Sequence, residues 1–386
     1  MKILYIASSA SWGGASVALY NLIKGLRQYG DEVRVLFPYG KNLRFCEELK
    51  KIGVQYSFST YGLTIRPYTR NPLRYVKKVV SMMRDNLASR KVVEDLIRDF
   101  RPDIVHTNVG PLDLALSVCE KNQIPHVWHI REYQDLDFGM KPFPTKGMFI
   151  NRLHRSRNYN VAITKGVFDY WNLSPKKDVT IYDGVFSESY SSNECKKENI
   201  ILYVGRVEPA KGLFDVLDPF SKFIQIYQDY KLVIAGKYQD GDEYYLKCKS
   251  RIDDLCISDN VEFLGEVKKV DEWMSRAKAI VVPSRFEGFG FITAEAMINK
   301  CFVIGKNTAG TKEQMDKCLS ETGRECAFRY DDVDSLLEGL RYAVENDTSE
   351  LCELAQNVAR MNYSVERHCC EMRDFYKRII NNLYVE

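Results

Sequence analysis

A chain of 386 residues, 45 % hydrophobic and 28 % charged, is too long for one ordinary hydrophobic core, so two domains are expected. No apolar run approaches the roughly 18 residues of a membrane span. The apolar core of Met1–Ala7 is too short for a secretory signal, and the eleven cysteines lack any Cys-x-x-Cys metal spacing, so they read as reduced structural thiols of a cytoplasmic protein. The net charge of +3 conceals an asymmetry: residues 1–186 stand at +11 and the remainder at −8.

Ile3–Ala7 reads as a buried strand of a parallel sheet. Gly13 and Gly14 follow at the start of a helix whose apolar positions include Leu19, Leu22, Ile23 and Leu26. Backbone N–H groups there can face a phosphate or a sugar, and ordinary turn chemistry accounts for the glycines equally well. Strand and helix then alternate over 32–37, 43–52 and 54–58, the pattern of a doubly wound α/β sheet. Residues 64–101 interrupt that spacing with ten basic side chains against four acidic ones, interleaved with Tyr68, Leu73, Val76, Val80 and Met83. Such a segment suits an anionic membrane surface; an ordinary helix with a solvated basic face has the same composition.

Two strand ends come next, Asp103–Asn108 and Pro125–Tyr133. They place His106 and His129 where open sheets form their sites, with Arg131 and Glu132 just beyond. A lone histidine in such a place is also a common structural residue. Lys146–Arg157 reads as a second basic amphipathic helix, and 161–164 and 179–182 close this half. The polar run 187–198 reads as a linker.

In the second half, Asn199–Val204 is a strand ending in Gly205. Arg206 and Lys211 flank the following turn, and Gly212 opens a helix. A guanidinium pairs with two phosphate oxygens at once, and a lysine adds a point charge. Lys231–Gly236 and Val261–Gly265 continue the sheet. The strand Ala279–Val282 then runs into Pro283-Ser-Arg-Phe-Glu287-Gly288-Phe289-Gly290-Phe291 and a helix to about Lys300. Glycines let this loop turn sharply and bring backbone N–H groups at a helix start close to a ligand. Glu287 and Glu295 frame it, and carboxylates of this kind hold vicinal diols of a sugar or ribose. A tight turn with two solvated glutamates is the plainer reading of the same residues. Phe302–Gly305 and a glycine-containing helix start at Ala309–Glu313 follow, and Tyr363–Leu383 reads as a charged amphipathic helix.

The paired glutamates around a Phe-Gly core resemble the signature of the GT-B glycosyltransferases, in particular retaining family 4. Gly205-Arg206 with Lys211-Gly212 resembles the same family's phosphate motif. Tyr182-Asp-Gly-Val185 resembles its domain-exit motif, with Asp183 in place of the usual Asn. The resemblance covers nearly the whole chain. It implies an α/β GT-B fold: two facing Rossmann-like domains, 1–186 on the acceptor side and 199–363 on the nucleotide-sugar side, with the site in the cleft between them. It also implies that 364–386 crosses back to the first domain.

For the site, the resemblance implies catalytic roles for Arg206, Lys211, Glu287 and His129. Gly13, Gly14, Gly288, Phe289, Gly290, Phe291 and Glu295 would hold the donor, and His106, Arg131 and Glu132 would lie on the acceptor side. In relatives the turns after 231–236 and 261–265 line the nucleobase pocket, although Lys237 departs from the usual small or acidic residue. The expected activity is transfer of a hexose-type sugar from a nucleotide diphosphate donor, UDP before GDP, to a glycan or lipid-linked glycan in cell-surface polysaccharide synthesis. No metal, cofactor or nucleic-acid partner is expected, and an anionic inner membrane face is an expected surface. The alternatives are a nucleotide-sugar epimerase-like enzyme or an inactive sugar-nucleotide-binding protein on the same fold.

Overall fold

The structure is a computed structural model, and it describes all residues except 194 and 384–386. The chain forms two compact units, Met1–Gly184 together with Val365–Glu386, and Val185–Ser364.

The first unit is built on β1 (Lys2–Ile6), β2 (Glu32–Pro38), β3 (Gln55–Ser59), β4 (Ile104–Thr107), β5 (His126–Ile130), β6 (Asn158–Ala162) and β7 (Val179–Thr180). They form one parallel sheet in the order β3-β2-β1-β4-β5-β6-β7. Period-two alternation explains why β1 is apolar throughout. Ile3 and Tyr5 face a core shared with helix Gly14–Gln28 and with Met372 and Tyr376 of helix Val365–Leu383. Leu4 and Ile6 face the opposite core, which holds Val93, Ile97 and Phe100. Fully burying one such side chain contributes roughly 1.5–3 kcal/mol, so the C-terminal helix is tied to this unit by its own apolar stripe.

The stretch 64–101 contains one unbroken helix, Pro72–Phe100. Asn71 caps it by accepting the Arg74 backbone N–H at 3.0 Å, and Pro72 stands where its missing N–H costs nothing. Arg101, at φ 51°, ends it.

The second unit holds β8 (Glu198–Val204), β9 (Lys231–Ala235), β10 (Val261–Gly265), β11 (Ala277–Val282), β12 (Phe302–Lys306) and β13 (Phe328–Tyr330). They form a second parallel sheet in the order β10-β9-β8-β11-β12-β13. Its core joins Ile201 and Tyr203, Leu232 and Ile234, and Ala279 and Val281 to Phe220 and Leu340. Residues 187–193, the first part of the stretch 187–198 that composition reads as a linker, lie along this unit. Tyr190 donates its hydroxyl to Asn299 Oδ1 at 2.6 Å, Gln356 Nε2 donates to Ser192 Oγ at 3.0 Å, and Arg360 donates to the Tyr190 carbonyl at 3.0 Å. Polarity reports that a segment meets water; it does not report these three anchors.

Candidate active site

In an open parallel sheet the ligand-facing loops follow the carboxyl ends of the strands. In the second unit that edge carries glycines after four of the six strands, and their packing shows why. A side chain at Gly236, after β9, would put its Cβ 1.8 Å from the Gly205 carbonyl oxygen; one at Gly212 would meet the Pro283 carbonyl at 2.3 Å; one at Gly310 would meet the Phe289 carbonyl at 2.2 Å. The loops after β8, β11 and β12 are therefore packed backbone on backbone. They are also stitched by hydrogen bonds. Arg285 N–H donates to the Ala210 carbonyl at 3.1 Å and Gly310 N–H to the Glu287 carbonyl at 2.9 Å. Gln314 Nε2 donates to the carbonyls of Phe289 and Gly290 at 2.7 and 2.9 Å.

Within this frame Lys211 Nζ lies 2.6 Å from Glu287 Oε1. The two residues picked out from separate motifs thus form one half-buried ion pair. Arg206 stands on the same loop after β8 as Lys211, 62 % exposed and paired with Glu208 at 3.0 Å. The sequence reading missed Glu208, whose place two residues after an arginine is a weak signal in a loop. Gly290, at φ 91°, precedes helix Phe291–Ile298 and adopts a left-handed conformation that a side chain would strain. In the helix's first turn Thr293 N–H donates to the Gly290 carbonyl at 3.1 Å, and the N–H groups of Phe291 and Ile292 precede the first intrahelical acceptor. Gly288 lies on the same loop. Phe289 is buried, its ring 5.2 Å from that of Phe291 and 5.5 Å from that of Tyr363. Its side chain is part of the core.

Glu295 lines a cavity of about 510 Å³ in this unit, with Val204, Lys268, Asp271, Ile292 and Tyr190 among its other walls. Burial, reinforced by the negative charge of Asp271, pushes its carboxyl up to about 7. Lys268, Asp271 and Tyr190 carried no motif in the sequence; they reach the cavity through the fold.

In the first unit, Gly13 is the N-cap of helix Gly14–Gln28; both glycines are exposed, and nothing lies within 4 Å of where a Gly13 Cβ would stand. His129, Arg131 and Asp183 converge at the carboxyl ends of the strands. Arg131 Nη2 donates to the Asp183 carboxylate, and Nη1 lies 3.4 Å from both Asn108 Oδ1 and His129 Nδ1. His129 has no exposed surface. Burial and then the Arg131 charge hold its pKa well below the usual imidazole value, so the ring is neutral. Asp183, read only as a departure from the exit motif, is the counter-ion of a buried arginine, a task an Asn could not perform.

The other two acceptor-side candidates, His106 and Glu132, are likewise buried, and each has a partner within the first unit. His106 lies within β4, fully buried, with Nδ1 2.6 Å from the hydroxyl of Tyr376, which in turn lies 2.9 Å from that of Tyr5. Through Tyr376 it links the C-terminal helix to β4, as Tyr5 links that helix to β1. Glu132 is also buried. It accepts the Gly110 N–H at 3.0 Å and is pushed up to about 7 by burial, so it holds the loop after β4.

Two Rossmann-like units, each a parallel sheet with its loops at the carboxyl edge, define the GT-B glycosyltransferase fold. Solved structures agree. Anabaena HepE in complex with UDP and glucose superimposes with a TM-score of 0.72 at 18 % identity, over 97 % of this chain and 98 % of that one. A glycosyltransferase from Rickettsia africae gives 0.76 at 17 % identity, over 99 % of each. Residues 13–162 match the glycosyl transferase 4-like domain and residues 187–362 match glycosyl transferases group 1. The chain belongs to this family and is a glycosyltransferase. Among its relatives, an uncharacterized 42.6 kDa protein in the cps region of Klebsiella pneumoniae is 27 % identical over 92 % of this chain and 94 % of that protein. The capsular polysaccharide biosynthesis glycosyltransferase CapH of Staphylococcus aureus is 23 % identical, over 81 % of this chain and 83 % of its own.

Proposed function

We propose that this glycosyltransferase moves a hexose-type sugar, with retention, from a UDP-sugar to a glycan or lipid-linked glycan hydroxyl during cell-surface polysaccharide synthesis. The observation that carries the reading is the ion pair Lys211–Glu287, which joins the loop of Arg206 to the glycine loop, in the unit whose cavity Glu295 lines. The donor diphosphate takes Arg206 and Lys211 as partners, with N–H groups of the Gly288–Phe291 turn as fixed donors. Lys211 then exchanges Glu287 for phosphate, and the freed carboxylate accepts hydroxyls of the transferred sugar. Glu295 accepts the ribose hydroxyls. Negative charge developing on the leaving phosphate is met by groups already in place, the preorganised stabilisation that supplies much of enzymatic rate enhancement. That phosphate takes the acceptor's proton on the face from which it departs, so no enzyme nucleophile is required. His129, neutral and held by Arg131, orients the sugar or the acceptor.

The relatives support the setting: CapH is named for capsular polysaccharide synthesis, and an 29 % identical relative over 41 % of this chain is the O-antigen chain mannosyltransferase RfbU of Salmonella typhimurium. HepE, solved with UDP and glucose, supports the uracil base. Calorimetric titration with UDP, GDP and ADP, followed by NMR of the anomeric configuration formed from the bound donor, tests the proposal. Tight binding of UDP and a product of unchanged configuration are expected. Preference for GDP, or an inverted product, overturns the corresponding part, and binding without transfer to any acceptor supports a non-catalytic nucleotide-sugar binder.

A further inference from the structure

The turn that opens helix Phe291–Ile298 is held from one side by a single buried side chain. Gln314, on the second turn of helix Ala309–Thr322, is 1 % exposed. Its Nε2 donates to the carbonyls of two consecutive residues, Phe289 at 2.7 Å and Gly290 at 2.9 Å. A trans peptide unit is planar, so each carbonyl points opposite to the N–H of the residue that follows. Pinning the Phe289 and Gly290 carbonyls against Gln314 therefore turns the N–H groups of Gly290 and Phe291 away from it, side by side. Gly290 is left-handed, at φ 91° and ψ 59°, and Phe291 is helical. Successive N–H groups at such a turn form a concave donor for an anion. Neither N–H has an acceptor among the described residues.

Stability gains little from an amide at this position. The Gly290 carbonyl already accepts the Thr293 N–H at 3.1 Å. Gln314 serves the Phe289 carbonyl but leaves its own Oε1 buried with no partner among the described residues. What the amide adds is direction. Room on its side of the turn is closed as well: a Cβ at Gly290 would stand 3.3 Å from Gln314 Nε2 and 3.4 Å from Thr311 N.

We propose that Gln314 is a positioning residue of the donor site: it aims the N–H groups of Gly290 and Phe291 at the donor diphosphate. The proposal rests on the proposed function, which lays that diphosphate at this turn, and it adds the side chain that sets the turn's direction. Gln314 acts through the backbone and not by touching substrate.

UDP is the probe, titrated by calorimetry into the wild type and three variants at a temperature where thermal melts show all four folded. Gln314→Met fills the same space and donates nothing. Hydrogen bonds to charged groups are worth ~1.5–3 kcal/mol, so UDP should bind it roughly 10- to 150-fold more weakly. Gln314→Glu separates direction from packing. Its protonated carboxyl donates to a carbonyl, whereas its ionised form repels both, and burial favours the protonated form. Its UDP affinity should approach that of the wild type at about pH 5 and fall away from it towards about pH 8. The ratio to the wild type at each pH removes the titration of Glu295 and of every other group the two proteins share. Thr308→Val, which loses a 3.0 Å hydrogen bond to the Arg285 carbonyl elsewhere on the loop, should bind UDP as the wild type does. In NMR spectra, UDP should shift the Gly290 and Phe291 amide signals of the wild type and leave those of Gln314→Met in place.

Unchanged affinity in Gln314→Met, a Gln314→Glu ratio that is the same at both pH values, or equal weakening by Thr308→Val overturns the proposal. If UDP binding depends on Lys211 but the two amide signals do not move, this proposal falls and the phosphate site stands. If UDP binding is also indifferent to Lys211→Ala, the proposed donor site falls with it.

Discussion

Glu295 stands in the helix that follows the glycine loop, where burial lifts its carboxyl from the ordinary 4.5 to about 7. A carboxyl that binds its proton more tightly folded than unfolded makes the folded state the more protonated one between those values. Stability therefore falls as pH rises through that window and levels off above it. A glutamine has no proton to lose. Glu295→Gln is expected to melt above the wild type at about pH 8, with a margin that shrinks towards about pH 5. Thermal melts of both proteins at the two pH values check this; a margin that is constant, or larger at low pH, would contradict the assignment. At this scale the sequence was informative where a motif bound residue type to spacing, as for Arg206, Lys211 and Glu287. It was silent where partners are distant in the chain. Arg131 and Asp183 are 52 residues apart, and only the sheet, which sets the ends of β5 and β7 on either side of β6, makes them a pair.

At the scale of elements, the loop after β11 keeps its shape because the start of helix Ala309–Thr322 presses against it. Gly310 is the contact: its N–H donates to the Glu287 carbonyl, and a Cβ there would stand 2.2 Å from the Phe289 carbonyl. Backbone cannot move aside as a side-chain tip does, so Gly310→Ala must displace the turn. The expected cost is about 1–3 kcal/mol of stability, as for other overpacked sites, together with at least a ~10-fold loss of nucleotide affinity. Gly241→Ala, where nothing lies within 4 Å, should change neither. Denaturant melts and nucleotide titration of both variants decide it: a Gly310→Ala protein indistinguishable from Gly241→Ala would mean that helix Ala309–Thr322 does not shape the turn. Apolar runs and glycine punctuation made most strands legible, because a parallel strand buried on both faces leaves a plain hydrophobic signature. Helix Pro72–Phe100 was less legible: its first turns bury nothing, so no core stripe marks them.

At the scale of the molecule, two domains followed from length and from the change of charge sign near residue 186, and the sheets confirm two Rossmann-like units. The same inventory bears on how a diphosphate is neutralised. The second unit, although net acidic, brings Arg206, Lys211 and a helix N-terminus to the edge of its sheet. Both cations are occupied by Glu208 and Glu287 when no donor is bound, so the incoming phosphates exchange one anion for another and no bare charge is left buried. Transfer is therefore expected to persist in excess EDTA. Lys211→Ala, which removes a preorganised donor and leaves Glu287 unpaired, should lower turnover at least ~100-fold. Initial rates with EDTA, with added Mg²⁺ or Mn²⁺, and with the variant test the argument together. Activity that EDTA abolishes and a divalent ion restores, or a Lys211→Ala enzyme of near-normal turnover, would show that the leaving phosphate is neutralised by something other than these side chains.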